Sequence, residues 1–230
     1  MRNGNNRMNW ILLALCLISL AGHLLILERL PEQIPVHWNA AGEIDGYGPK
    51  SMDLIMGVIP LGIWVLMTAL PRLDPRRKNY EKHQKAYGIL TLLLTLAMIA
   101  FSWMTALAGL GYNVDVGMLI PMVLGVVFVV MGNYMPKIRS NYFVGVRTPW
   151  AIENTWVWRK TQWMGGISFI VMGVVIFGSV FLPASFRTPV LLVVLLGGVA
   201  WDYLYSWLMF QKAKKEGKLG RYEEESEDQY

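Results

Sequence analysis

Residues with chemistry to offer are few and lie in two places. In the segment Glu28–Met52, His37, Glu43 and Asp45 bring an imidazole and two carboxylates close together. Such a set could ligate a metal or carry out acid–base chemistry. The segment holds one His, whereas metal sites need three or four converging ligands. The main reading is a hydrogen-bonded structural His beside an interface-anchoring Trp38, with ligand or peptide recognition as the alternative. Asp202 lies within an apolar run, where an acid is costly and needs a partner. Arg147 and Arg139 fall on the same expected side, so an ion pair of Asp202 with one of them is expected. A proton relay is the sharper alternative. His23 and Asp53 fall near the ends of apolar runs. The chain shows no paired catalytic Asp motifs, His-Glu-x-x-His motif or Ser-based elbow, and no inverted repeat of broken helices. No catalytic residue, metal or cofactor is expected. The competing class is an intramembrane enzyme or small transporter using Asp202, with His23 and Asn133 as further polar residues.

These groups must be positioned by membrane helices. The chain has 230 residues, 54% hydrophobic and only 16% charged, with net charge +5 and one Cys. Soluble domains carry roughly 25% charged residues. Six apolar blocks reach the length that crosses a bilayer, about Asn9–Leu27, Asp53–Leu70, Ala86–Gly111, Val116–Met135, Gly165–Leu182 and Pro189–Phe210. Within a bilayer each must be an α-helix. A cytosolic enzyme, a nucleic-acid-binding domain and a multi-Cys framework are excluded. The first block follows Arg2 and Arg7 like a signal peptide, but its apolar run continues through Leu24–Leu27, as in a retained anchor.

Lys and Arg set the orientation. Eighteen of the 21 lie in the N-terminus, the loops after spans two and four, and the C-terminus; only Arg29, Lys50 and Arg187 lie elsewhere. The positive-inside rule places both termini in the cytoplasm. The basic surplus is thus a topology signal and requires no nucleic acid. The expected fold is an all-α polytopic membrane protein with six transmembrane helices. A small ordered extracellular cap stands between the first two. Gly125 and Gly132 in span four, and Gly166 and Gly173 in span five, have the spacing of a close-packing face. The tail beyond Phe210 is basic through Lys218, then acidic at Glu223, Glu224, Glu225, Glu227 and Asp228.

Two segments outside the spans carry information. In the cap, Pro31 and Pro35 favour extended chain, Val36 and Trp38 suit a short strand, and Asn39–Gly42 and Asp45-Gly46 are turn chemistry. In the loop Pro136–Met164, Thr148 caps a helix with Pro149 in its first turn, and Asn154 caps a second helix running into span five. Four Trp residues there suit the inner interface, with a docking surface for a cytoplasmic partner as the alternative.

The stretch Leu30-Pro31…Ile34-Pro35-Val36-His37-Trp38-Asn39…Gly42…Asp45-Gly46-Tyr47 resembles a small domain of unknown function often found ahead of SdpI modules. The stretch Gly132-Asn133…Asn141…Gly145-Val146-Arg147-Thr148-Pro149-Trp150…Val157-Trp158…Thr161…Gly165-Gly166 resembles the SdpI signature. Gln162 departs from it, since a His is expected after the Thr, and any proton-dependent role of that His lacks its residue here.

The resemblance implies a bacterial cell-membrane immunity protein that is not an enzyme. Such a protein protects against a secreted peptide toxin and relays toxin presence by holding a cytoplasmic autorepressor at the membrane. Expected toxin contacts are His37, Trp38, Asn39, Asp45 and Tyr47. The partner-facing or structural motif is Asn133, Asn141, Gly145, Arg147, Thr148, Pro149, Trp150 and Trp158. The expected organisation is a two-helix module with its cap over 1–85, a four-helix SdpI-like module over 86–211, and a charged tail over 212–230.

Overall fold

A chain in lipid must satisfy its backbone within each span, and the fold follows that rule. The computed structural model describes residues 3–219. Among them six helices are long and apolar enough to cross a membrane. They are α1 (Asn3–Ile26), α2 (Ser51–Leu73), α4 (Gln84–Gly109), α5 (Val116–Tyr134), α7 (Thr155–Gly178) and α8 (Ala184–Lys215), with short α3 (Arg77–Lys82) and α6 (Pro149–Glu153) between them. The acidic residues Glu223–Asp228 lie outside the described residues.

Helix ends follow local capping. Thr148 accepts the Ala151 N–H and Pro149 opens α6, as expected. Asn154 accepts the Val157 N–H, so α7 begins at Thr155, ten residues before the apolar run. Helix α8 extends five residues beyond its expected span at each end. At 1.5 Å per residue its 32 residues span about 48 Å, more than the hydrocarbon thickness, so its ends project.

Burial is inverted relative to a water-soluble protein. Leu25, Val193 and Leu196 are 70–78% exposed, while Ser19, His23, Asp53, Thr95, Ser102 and Ser206 are buried. Apolar side chains face the lipid and small or polar ones face neighbouring helices, where their hydrogen bonds can be met. Helices α1 and α2 pack against α4; α7 lies between α5 and α8; and α4 meets α5.

The α5–α7 seam depends on absent side chains. A Cβ on Gly166 would lie 2.7 Å from the Gly132 carbonyl oxygen, and one on Gly173 would lie 2.7 Å from the Gly125 carbonyl oxygen. Both pairs therefore bring backbone onto backbone.

Between α1 and α2 stands an antiparallel hairpin, β1 (Gln33–Trp38) and β2 (Ile44–Pro49). The turn is made by Asn39, whose Oδ1 accepts the N–H groups of Ala41 and Glu43. Asp45 and Gly46 are not a turn as expected. They lie within β2, because Asn39–Gly42 already reverses the chain. Leu30 and Ile34 bury against the end of α4 at Gly109, which fixes the hairpin's base.

Gly166→Ala should lower stability in detergent by about 1–3 kcal/mol, measured by thermal unfolding. Gly62→Ala, whose added Cβ meets nothing within 4 Å, should leave the melting temperature unchanged or raised.

Candidate functional site

Three groups of side chains share the expected chemistry. The first is the hairpin. His37 Nδ1 lies 2.6 Å from Asp45 Oδ1 across the two strands, and both side chains are exposed. Tyr47 is 63% exposed, and Trp38 is half-buried. Asn39 is spent on the turn, since its Nδ2 also donates to Glu43 Oε2 at 3.1 Å. The structure thus brings His37, Asp45 and Tyr47 onto one small platform, with Asn39 as its builder. Its tip is fastened: Thr188 donates to the Ala40 carbonyl at 2.9 Å, and Gly42 packs on the start of α5 at Gly117. Arg187 and Asp115 lie 3.7 Å apart beside it.

The second group is the loop joining α5 to α7. Asn141 is buried and fully used, accepting the Phe143 and Val144 N–H groups and donating to the Arg139 and Val144 carbonyls. Gly145 has φ +104, and a Cβ there would collide with Gln162. Gln162 forms two bonds with one residue, accepting from Val146 N at 3.0 Å and donating to Val146 O at 2.8 Å. Its carboxamide presents donor and acceptor side by side like a peptide group, which suits pairing with backbone. This accounts structurally for the residue that departs from the motif.

Arg147 is exposed and donates to the Tyr142 carbonyl at 2.6 Å. Thr148 shares a hydrogen bond with Ser206 of α8, which also accepts from Thr161 at 3.1 Å. Trp158 is fully buried and donates to the Ile138 carbonyl at 2.8 Å. Trp150 rests beside Phe210, and Asn133 is exposed on α5.

Sequence reasoning missed what holds this loop. Asp74, just past α2, is buried and accepts from Arg76 N at 2.7 Å, Tyr80 OH at 2.9 Å and Tyr142 N at 2.8 Å. Arg76 reaches the Ile152 carbonyl at 2.9 Å and lies over the Tyr142 ring. Asn79 donates to the Ser140 carbonyl at 2.7 Å. The Tyr80 phenol is pushed up by burial, then by its bond to Asp74. His83 Nδ1 accepts the Arg139 N–H at 3.2 Å, while its buried Nε2 has no partner. Burial first, and the Arg139 charge second, hold His83 down to about 4.

The third group is inside the membrane. Asp202 does not pair with Arg147 or Arg139 as expected. It lies beside Ser168 of α7, and its Oδ1 is buried without a partner. Arg147 is spent on Tyr142 and Arg139 lies beside His83, which keeps both cations in the loop.

Nearer the hairpin, His23 Nδ1 lies 3.0 Å from Asp53 Oδ2 and Nε2 lies 3.2 Å from Ser102 Oγ, all three residues being buried. Ser102 donates to the Ile99 carbonyl at 2.8 Å and so accepts from Nε2–H. The His23–Asp53 contact then needs its own proton, and the pair is neutral overall whichever atom holds it. Gly57 makes room for the imidazole, and Trp103 stacks beside it. Among the described residues no group of three or more His, Cys, Asp or Glu could hold a metal.

Comparison with known proteins accounts for both loops at once. Residues 14–61 match a domain of unknown function (DUF1648), and residues 137–206 match the SdpI/YfhL protein family. The chain is also 23% identical over 207 residues to the immunity protein SdpI of Bacillus subtilis (strain 168), covering 89% of this chain and 96% of that protein. The second half of the chain is thus similar to the SdpI family, and its first part to the domain of unknown function. No solved structure matches it. The SdpI match takes in Asn141, Gly145, Arg147, Thr148, Pro149, Trp150, Trp158 and Asp202, whereas Asn133 lies before it. With six apolar helices, the chain is a multi-pass protein of the bacterial cell membrane.

The His83 environment predicts a pH dependence. Between about pH 6.5 and about pH 4 the unfolded chain binds the imidazole proton and the folded chain does not. Stability present above that window is therefore lost as pH falls through it, by on the order of 3 kcal/mol. Thermal unfolding from pH 7 to pH 4 should show this decline, and His83→Gln should flatten it.

Proposed function

We propose that this chain is an immunity protein that binds or neutralises a secreted membrane-active peptide, and that the hairpin receives it. The observation that carries this reading is the platform of His37, Asp45 and Tyr47, exposed yet fastened at both base and tip. Tyr47 and Trp38 offer apolar contact with a polar edge, and the His37–Asp45 pair offers orientation. A fixed platform binds without first losing the entropy of ordering a loop. The name of the Bacillus subtilis relative supports the same reading. In this account no reaction is catalysed.

The hairpin faces outward and the basic end faces the cytoplasm, in keeping with the placement of Lys and Arg. Helix α8 joins the two faces. It begins beside the hairpin tip at Arg187 and Thr188 and later carries Ser206, bonded to Thr148 and Thr161. Toxin held at the platform shifts α8, and the surface around Arg147 and Trp150 presents that state to a cytoplasmic autorepressor. Such a relay requires a toxin affinity that differs between two positions of α8.

Expression in toxin-sensitive cells tests the proposal. Survival against at least one member of a panel of secreted membrane-active peptides should rise. Tyr47→Ala and His37→Ala should each lower protection by about tenfold at unchanged membrane abundance. Protection against none of the panel, or protection untouched by both substitutions, contradicts it.

A further inference from the structure

A cleft of about 580 Å³ opens at the basic end among α1, α2, α3 and α4, away from the hairpin. That volume is in the range of ligand pockets. Met67, Thr68, Pro71, Tyr87, Gly88 and Thr91 of the spans α2 and α4 form its floor, the three hydroxyls being spent on backbone carbonyls, while the exposed Arg72, Arg77 and Lys78 form a basic rim. Glu81 is the single acidic lining residue, leaving a net positive rim. Arg72 and Arg77 are both exposed, and among the described residues neither guanidinium has a hydrogen-bond or ion-pair partner. They differ in this from Arg76 in the same loop, whose guanidinium reaches the Ile152 carbonyl.

We propose that this cleft binds the headgroup of an anionic phospholipid. The phosphate is held by Arg72 and Arg77, and one acyl chain lies along the floor between α2 and α4. Three observations select this occupant. The arginines stand where the span α2 ends, and span ends meet the headgroup region of a bilayer. Guanidinium forks match phosphate oxygens in pairs. The floor belongs to two apolar spans, which suits an amphiphile better than a free anion. Basic pockets between membrane helices are recurrent sites for such headgroups. Bound lipid would brace α2 against α3 and α4, beside the Asp74 cluster that holds the SdpI loop.

The test is native mass spectrometry of the full chain released from nanodiscs containing equal phosphatidylglycerol and phosphatidylcholine. Phosphatidylglycerol should be retained in preference. Arg72→Gln/Arg77→Gln should cut its retention by about fivefold or more. Lys214→Gln/Lys215→Gln, which removes the same charge from exposed positions on α8, should leave it unchanged. Equal retention of the two lipids in the unaltered chain overturns the proposal without reference to any variant. Equal losses in the two double variants also overturn it, since they indicate diffuse surface attraction. Displacement of the lipid by millimolar inorganic phosphate would assign the site to a free anion instead.

Discussion

The carboxylate of Asp74 is the fastening on which the basic end depends. It is one buried charge with three donors: the Arg76 N–H, the Tyr80 hydroxyl and the Tyr142 N–H. The first two belong to the connection after α2; the third belongs to the SdpI loop. A buried carboxylate is tolerable only when hydrogen bonds replace its water, so the loop cannot leave without exposing the acid to an unmet cost. Asn141 and Gln162 then shape the loop from within. Gly145 is required because its positive φ and the adjoining Gln162 leave no room for a side chain. The loop carrying Arg147 and Trp150 is thereby anchored to the connection after α2.

The same economy of polar groups operates within the bundle. Lipid offers apolar side chains no reason to cluster, so the helices are joined by glycine contacts and buried hydrogen bonds. His23, Asp53 and Ser102 join α1, α2 and α4, whereas Thr148, Thr161 and Ser206 join the SdpI loop to α7 and α8. Asp202 is met less fully: its Oδ1 is buried without a partner, as is Asp53 Oδ1. It belongs to the same polar seam as Ser206, one helical turn away on α8.

What could be read from the residues was whatever local chemistry determines. Span lengths follow bilayer thickness, and the caps at Thr148 and Asn154 depend on neighbours a few positions away. The glycine spacing on α5 and α7 marks faces that meet. Asp74 escaped notice because an acid between Leu73 and Pro75 looks like an ordinary helix end, and its decisive partner, Tyr142, is 68 positions away. Gln162 looked like a defect in a motif until its contact with Val146 was visible. Asp45-Gly46 has turn composition, yet a turn is needed only once in a hairpin and Asn39 makes it. The expected pairing of Asp202 with an arginine assumed that cations at one end are free to reach inward. Arg147 is already bonded to the Tyr142 carbonyl, closer by along the chain.

The functional account rests on the hairpin and the SdpI loop facing opposite compartments. The direct measurement replaces the one native cysteine by Cys16→Ser and introduces Tyr47→Cys or Lys214→Cys, both at exposed positions. Intact cells are then treated with a membrane-impermeant maleimide. The account predicts that the Tyr47→Cys chain is labelled at once, and that the Lys214→Cys chain is labelled only after the membrane is opened. The reverse order, or labelling of both in intact cells, would contradict it.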